Sequence, residues 1–152
     1  MTTRAQVVAE ARSWLGTPYR HQASLKGIGA DCIGFVGGVG LALGLPEAVA
    51  WAADPTVKGY GRSPDSAVLM AACRRYLDPI NKAVADLGDI LVLRFDAEPQ
   101  HFAILSERWP RRIIHGYAAA RKVAEMSIDG EWRIGVPWHS LIVSAWRFRG
   151  VD

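Results

Sequence analysis

The sequence has few cysteines and no long apolar run. Two cysteines among 152 residues exclude a disulfide-stapled scaffold, and we predict that both thiols are reduced. The longest weakly polar stretch, residues 33–45, holds five glycines among thirteen residues and is too short for a membrane span. Arg4, Glu10 and Arg12 interrupt the apolar residues of the N-terminal segment. We therefore expect a soluble protein that is synthesised in the cytoplasm without a secretion signal.

The chain also lacks a strong charge of either sign. Its formal net charge is +3 at pH 7, and its basic residues gather only mildly between Arg108 and Lys122. This density is far below that of a dedicated nucleic-acid-binding protein. Nucleic-acid binding therefore ranks low among the candidate functions, and a solvated basic surface is the simpler interpretation.

Length and composition predict one domain. A chain of 152 residues with 50% hydrophobic content can bury one sizeable core but has little room for two. We find no internal repeat and no low-complexity tract. We therefore treat residues 1–152 as a single domain.

Helical patterns occupy the first half of the chain. Apolar residues recur at helical spacing from Val7 to Leu15, and Gly16 and Pro18 end this pattern. After a loop over residues 17–31, a buried helix is predicted from Cys32 to about residue 44. A further helix is predicted over residues 63–77, with Ser63 as its N-cap and Cys73 packed on its apolar face.

The second half of the chain has the pattern of an antiparallel sheet. Short apolar runs separated by Pro, Gly and Asp occupy residues 89–95, 101–107, 112–117, 122–128 and 141–148. Helices first and strands later predict an α+β fold rather than alternating βαβ units.

Cys32 is the first candidate for chemistry. It follows Asp31, which can cap the predicted helix, and a helix N-terminus near a histidine lowers the pKa of a thiol. Glycines around it would let backbone N–H groups approach a substrate carbonyl. A catalytic nucleophile with a lowered pKa and a buried structural thiol both stay open at this point.

Two of the four histidines can support such a nucleophile. His101 begins one predicted strand and His115 lies near the end of the next, fourteen residues on. A hairpin of neighbouring strands can bring these ends together, so one imidazole could act as base and the other could orient it. His21 lies in the loop and His139 in a turn, and each is most simply a surface residue.

The order of these elements resembles the NlpC family of papain-like cysteine peptidases, which cut bacterial peptidoglycan. The likeness is carried by five blocks: ARSWLGTPYR, GADCIGFVGGV, LGDILVLRF, QHFAILS and RIIHGY. They span residues 11–117 in the family's order, and the cysteine block is the most specific. The resemblance implies a papain-like α+β domain, in which N-terminal helices pack on an antiparallel sheet.

The resemblance also implies the roles of five residues. Cys32 would be the nucleophile, His101 the general base and His115 the polar third residue. Tyr19 would support the active site or the oxyanion, and Asp31 matches the aspartate before the cysteine. The implied reaction cleaves an amide through a thioester, with peptidoglycan stem peptides as substrate and no metal or organic cofactor.

One residue departs from the family pattern. Ile33 stands where many members have a serine that helps to recognise the free N-terminus of a stem peptide. Compact members with ADCIG are similar to enzymes of phage and phage-like tail gene clusters. The resemblance therefore implies a tail-tip enzyme that assists DNA entry, acts in the cell wall of the target cell, and has other tail or baseplate proteins as partners.

Two other functions stay open on the same residues. An amidase or acyltransferase would use Cys32 and His101 through the same thioester, and a structural tail component or wall-binding module would keep the fold without turnover. An exposed Trp51 or Trp109 could mark a docking surface. The glycines after Cys32 are interpreted as close packing of the helix against the sheet that carries the histidines.

Overall fold

Five α-helices and a large sheet are formed by the described residues. The computed structural model describes residues 1–58, 65–95 and 99–152. Its helices are α1 (Arg4–Ser13), α2 (Cys32–Ala42), α3 (Pro46–Ala53), α4 (Pro55–Lys58) and α5 (Ser66–Tyr76). Its strands are β1 (Ser24–Leu25), β2 (Gly29–Ala30), β3 (Leu77–Ile80), β4 (Ile90–Arg94), β5 (Pro99–Arg108), β6 (Arg111–Tyr117), β7 (Lys122–Ser127), β8 (Glu131–Arg133), β9 (Val136–Pro137) and β10 (Ile142–Phe148).

The predicted N-terminal helices are confirmed, with one change at a helix start. Thr3 caps α1 in a reciprocal capping box with Gln6. Helix α5 begins at Ser66, and the Asp65 carboxylate accepts hydrogen bonds from the first-turn N–H groups. The prediction of Ser63 as the cap is wrong for this helix start, and residues 63 and 64 lie outside the described residues.

Helix α3 was not predicted, and it changes the interpretation of Trp51. Pro46 occupies the first turn of α3, where its missing N–H costs no intrahelical bond. Trp51 on this helix is buried in the core, so it is no part of a docking surface. Trp109, in contrast, is 83% exposed at the turn between β5 and β6.

The six-stranded sheet has the order β3-β10-β4-β5-β6-β7, and every neighbouring pair is antiparallel. The five predicted strands correspond to β4, β5, β6, β7 and β10. The four strands from β4 to β7 form the expected meander, whereas β10 returns to pair with β4 on its other side. The expected α+β architecture, with N-terminal helices on an antiparallel sheet, is confirmed.

Alternation along the central strands divides the core into two clusters. Phe102, Ile104 and Ile114 point to the helices and share a cluster with α1, α2 and α3. Ala103 and Leu105 point to the opposite face, which is covered by residues after β7 and by β10. Both faces of the meander are therefore buried.

The glycines of α2 pack mainly against helices rather than against the sheet. A Cβ on Gly38 would lie 2.2 Å from the Trp14 ring, and one on Gly37 would lie 3.2 Å from the Trp51 ring. Only Gly40 approaches the sheet, at Phe148, and it also approaches Ala48 of α3. The interpretation of these glycines as a helix-to-sheet contact is corrected: they allow close packing of α1 and α3 on α2.

Both cysteines are free thiols, as predicted, and Cys73 is buried on α5. Within the described ranges, no helix is long and apolar enough to cross a membrane.

Candidate active site

Cys32 is the first residue of α2, and a buried aspartate shapes the turn before it. One carboxylate oxygen of Asp31 accepts a hydrogen bond from the Gly34 N–H at 2.8 Å, and the other accepts one from the Gln22 N–H at 2.7 Å. The first bond caps α2, as the sequence predicts, and the second ties the preceding loop to the helix start. The position of Cys32 is thus set by two bonds to its neighbour.

A glycine of the sheet lets the start of α2 approach β6. A Cβ on Gly116 would lie 2.8 Å from the carbonyl carbon and oxygen of Asp31 and 3.1 Å from the Cys32 nitrogen. Only a glycine therefore permits this separation. The close approach places Cys32 beside the residue that follows His115.

Backbone N–H groups surround the sulfur of Cys32. Those of Phe102, Ile33 and Cys32 itself act on the sulfur and favour its thiolate. Burial acts in the opposite direction and is the stronger effect; with the nearby Asp31 carboxylate it raises the pKa of Cys32 to about 12. The expected lowering of the Cys32 pKa is therefore wrong for the protein alone, because desolvation changes this pKa more than the helix N-terminus does.

The β5–β6 hairpin brings the two candidate histidines into contact. His101 Nε2 and His115 Nδ1 are 2.6 Å apart. Both rings are buried, and burial lowers the pKa of His101 well below its ordinary value and that of His115 to about 4. The predicted juxtaposition of these imidazoles is confirmed, and both are neutral near pH 7.

Aromatic rings cover this pair. The Tyr117 ring stacks on His115 with centroids 4.6 Å apart, and Phe95 lies 4.8 Å from His101. Trp138 meets His115 edge-on at 6.4 Å. These rings keep water from the bond between the imidazoles, which strengthens that bond electrostatically. Tyr117 shares β6 with His115, but residues 95 and 138 are distant in sequence, and no motif indicated them.

The second nitrogen of His115 meets a sulfur atom. His115 Nε2 lies 3.1 Å from Met126 Sδ, which β7 presents beside β6. The sequence analysis missed Met126, because a methionine in a strand is ordinarily interpreted as packing. The signal that could have found it is register, since Met126 pairs with Ile113 and so lies diagonally beside His115 on the same face.

Tyr19 lies near the candidate nucleophile. Its backbone N–H bonds to the Arg121 carbonyl, and it bridges to Ala30, two residues before Cys32. Burial raises the pKa of Tyr19 to about 12, and the charges of Cys32 and Asp31 add to the increase. The phenol is therefore neutral near pH 7.

The other two histidines lie apart from this cluster. His21 and His139 are exposed, as predicted, and His21 Nδ1 lies 4.0 Å from an Asp31 oxygen. Across the described part of the chain, no group of three or more His, Cys, Asp or Glu side chains could hold a metal ion.

A cavity of about 500 Å³ opens beside the start of α2. Its apolar wall includes Ile33, Gly37 and Leu41, one face of α2, together with Trp51 and Val57. The residue that departs from the family pattern, Ile33, therefore contributes to this wall.

Comparison with solved structures finds the same architecture. The NlpC/p60 domain of the peptidoglycan hydrolase SagA aligns with a TM-score of 0.61 at 21% identity, covering 95% of this chain and 98% of that one. An NlpC/P60 family protein from Bacillus cereus gives 0.61 at 18% identity. NlpC2 from Trichomonas vaginalis gives 0.63 at 14% identity. The chain has the NlpC/p60 fold.

The NlpC/p60 fold accounts for nearly the whole chain but for only part of some relatives. The alignment covers 95% of this chain in each case, yet 40% of the Bacillus cereus protein and 47% of the Trichomonas vaginalis protein. No protein-family model and no curated protein matches the sequence. At identities of 14–21%, the structural similarity shows the NlpC/p60 fold alone.

Proposed function

We propose that the protein is a cysteine peptidase that hydrolyses amide bonds in peptidoglycan stem peptides. Cys32 is the nucleophile, His101 the general base and His115 the residue that orients it. The observation that carries the proposal is the 2.6 Å bond between the two imidazoles. His101 is the third residue of β5, and the next residue, Phe102, directs its N–H to the Cys32 sulfur. The fold, shared with a domain of a peptidoglycan hydrolase, supports the choice of substrate.

In the protein without substrate, Cys32 and His101 are both neutral. Burial holds Cys32 as a thiol and His101 as a neutral imidazole, since it raises the pKa of the first and lowers that of the second. Because His101 Nε2 is engaged by His115, Nδ1 is the ring nitrogen left to accept the thiol proton. Proton transfer then accompanies attack, when charge develops on the substrate.

The chemistry proceeds in two halves. In the first, Sγ of Cys32 bonds to the substrate carbonyl carbon while its proton passes to His101. The C–N bond then breaks, and the imidazolium gives that proton to the leaving amine. In the second half, His101 removes a proton from water, which attacks the thioester and releases the acid and the free thiol.

In this proposal two groups stabilise the oxyanion of these steps. The Cys32 N–H lies at the N-terminus of α2, where the helix dipole favours negative charge. Tyr19 supplies a neutral phenol near the sulfur. Asp31 acts indirectly, since both of its oxygens bond to backbone N–H groups that hold the turn.

The wall around Ile33 sets the substrate preference within this proposal. An isoleucine side chain cannot hydrogen-bond the free amine of a stem peptide, and the polar side chains that line the same cavity are those of Gln22 and Ser24. We therefore expect weaker dependence on a free N-terminus than a serine would confer. A hydroxyl at this position, introduced as Ile33→Ser, should increase the preference for substrates with a free amine.

The proposal extends to a phage-like tail. The likeness of the ADCIG block to tail-associated enzymes supports a tail-tip hydrolase that acts in the target cell wall, with other tail or baseplate proteins as partners. Co-purification with assembled tail particles from a producing strain tests this part. Recovery of the protein only in particle-free fractions would contradict it.

Digestion of purified peptidoglycan, with released fragments identified by mass spectrometry, tests the activity. We expect fragments with newly freed amines from the wild type and none from Cys32→Ala. Cys73→Ala is the matched control, because it removes a buried thiol on α5 away from the site.

Other outcomes point to the alternative functions. Equal release by Cys32→Ala removes the nucleophile assignment. No release by the wild type favours a structural tail component or wall-binding module. A product that carries an added amine, in place of the free acid, identifies an acyltransferase.

A further inference from the structure

The environment of His115 determines which of its nitrogens carries the proton. Its Nε2 atom lies 3.1 Å from Met126 Sδ. A thioether sulfur has no proton and can only accept a hydrogen bond. If Nε2 carried no hydrogen, its lone pair would face a lone pair of the sulfur at this distance, and the two would repel each other. Nε2 must therefore carry the hydrogen.

The tautomer of His115 determines the tautomer of His101 through the hydrogen bond between the two rings. A neutral imidazole has one N–H, so His115 Nδ1 must be an acceptor once Nε2 is protonated. The 2.6 Å contact then requires His101 Nε2 to be the donor. His101 Nδ1 is left with a lone pair, which is the state that a general base needs.

We propose that Met126 is a positioning residue: its sulfur holds His115 in the Nε2–H form and thereby leaves His101 Nδ1 basic. The inference rests on the proposed function for its catalytic consequence, but the tautomers themselves are a property of the protein alone. The third residue of a catalytic set commonly fixes the tautomer of the base. In this protein a fourth residue, the apolar Met126, fixes the tautomer of the third residue, His115.

The surroundings keep alternative partners from His115. Tyr117 stacks on its ring with an interplanar angle of 15°, which fixes the ring plane. The ring is fully buried, so water does not compete for Nε2. Met126 is half-buried on β7 and pairs with Ile113, so its side chain lies on the same face of the sheet as His115.

Two-bond ¹H–¹⁵N spectra of the histidine rings test the assignment directly. In the wild type we expect His115 with Nε2 protonated and Nδ1 bare, and His101 also with Nε2 protonated. In Met126→Leu, which keeps an apolar side chain without the acceptor, we expect His115 to populate both tautomers. Met70→Leu on α5 is the matched control and should leave both rings unchanged.

Kinetics with a defined muropeptide tests the consequence. We expect Met126→Leu to lower kcat by about threefold, with KM within about twofold, since the base is in the wrong tautomer for part of the time. Met126→Glu should restore kcat, because a carboxylate also only accepts from Nε2–H. A structural role alone would show equal losses in both variants and an unchanged tautomer.

Failure of the tautomer inference and failure of the proposed function give different results. A wild-type spectrum with His115 Nδ1 protonated overturns the inference, whatever the activity. An unchanged spectrum and unchanged kcat in Met126→Leu also overturn it. A wild type that shows the expected tautomers but cleaves no peptide contradicts the proposed function and leaves the tautomer assignment standing.

Discussion

His101 Nε2 and His115 Nδ1 lie 2.6 Å apart in the buried centre of the site, although fourteen residues separate them in sequence. The β5–β6 hairpin produces this relationship, because its register pairs Ile104 with Ile114 and so places the two rings diagonally on one face. The bond is formed between two neutral rings, which makes the site sensitive to acid.

Acid should destabilise the protein through these histidines. Burial lowers the folded-state pKa of both, to about 4 for His115, so the unfolded chain binds protons first as the pH falls below 6.5. The free energy of unfolding should therefore decrease from about pH 6.5 to about pH 4, by roughly 3 kcal/mol from His115 alone. Urea unfolding at pH 7 and at pH 4.5 measures this decrease in the free energy of unfolding.

A variant isolates this contribution from the carboxyl groups. His115→Phe keeps an aromatic ring against Tyr117 and removes the titrating group, so its loss of stability between the two pH values should be smaller. An equal loss in both proteins would show that His115 is not the cause.

Cys32 should react slowly with iodoacetamide at neutral pH. Burial raises the pKa of its thiol to about 12, and the thiolate is the reactive form. The alkylation rate at Cys32, measured by mass spectrometry of the labelled peptide, should therefore keep rising above pH 9. A rate that levels off below pH 8 would show an ionised thiol and contradict the neutral starting pair. Denatured protein, with an ordinary thiol, provides the reference.

Gly116→Ala should disturb the start of α2. The added Cβ would lie 2.8 Å from backbone atoms of Asp31, so the helix or β6 must shift. We expect a loss of about 1–3 kcal/mol in unfolding free energy and a lower kcat, because the shift moves Cys32. Gly130→Ala is the control, since a Cβ there meets nothing within 4 Å. Equal behaviour of the two variants would argue against the close approach.

Asp89 should be a major determinant of stability outside the site. Its carboxylate is fully buried and accepts two bonds from Arg147, at 2.8 and 2.9 Å, and one from Arg4 at 3.2 Å. Asp89→Asn should cost about 2 kcal/mol, because it removes the buried charge that accepts these bonds, while the Arg147 and Arg4 side chains are 27% and 26% exposed and stay partly solvated.

The matched comparison for Asp89 is Asp78→Asn. Asp78 pairs with Arg149 at 3.2 Å but is 60% exposed, so its loss should be below about 1 kcal/mol. Chemical denaturation of the two variants measures the difference. Similar losses would mean that burial does not govern these ion pairs.

The local patterns of the sequence were sufficient for most of the fold. Short apolar runs between Pro, Gly and Asp located β4, β5, β6, β7 and β10, since a strand that is buried on both faces is apolar at successive positions. They missed β3, α3 and α4, and also the short strands β1 and β2 in the predicted loop and β8 and β9 after β7, because these short and mixed segments form through packing rather than through a pattern of their own. The start of α5 was also misplaced, because Ser63 and Asp65 are both suitable caps and tertiary context selects one.

Some features of the candidate site could likewise be predicted from the sequence, and others could not. Residue type and order were enough to predict Cys32 at a capped helix start and a hairpin that joins His101 to His115, because both features depend on nearby residues. Long-range packing alone decided the rest: Met126 faces His115 through strand register, Phe95 and Trp138 cover the rings, and Gly116 admits the start of α2. It also decided the protonation of Cys32, since desolvation depends on everything that surrounds a group and no sequence neighbour reports it.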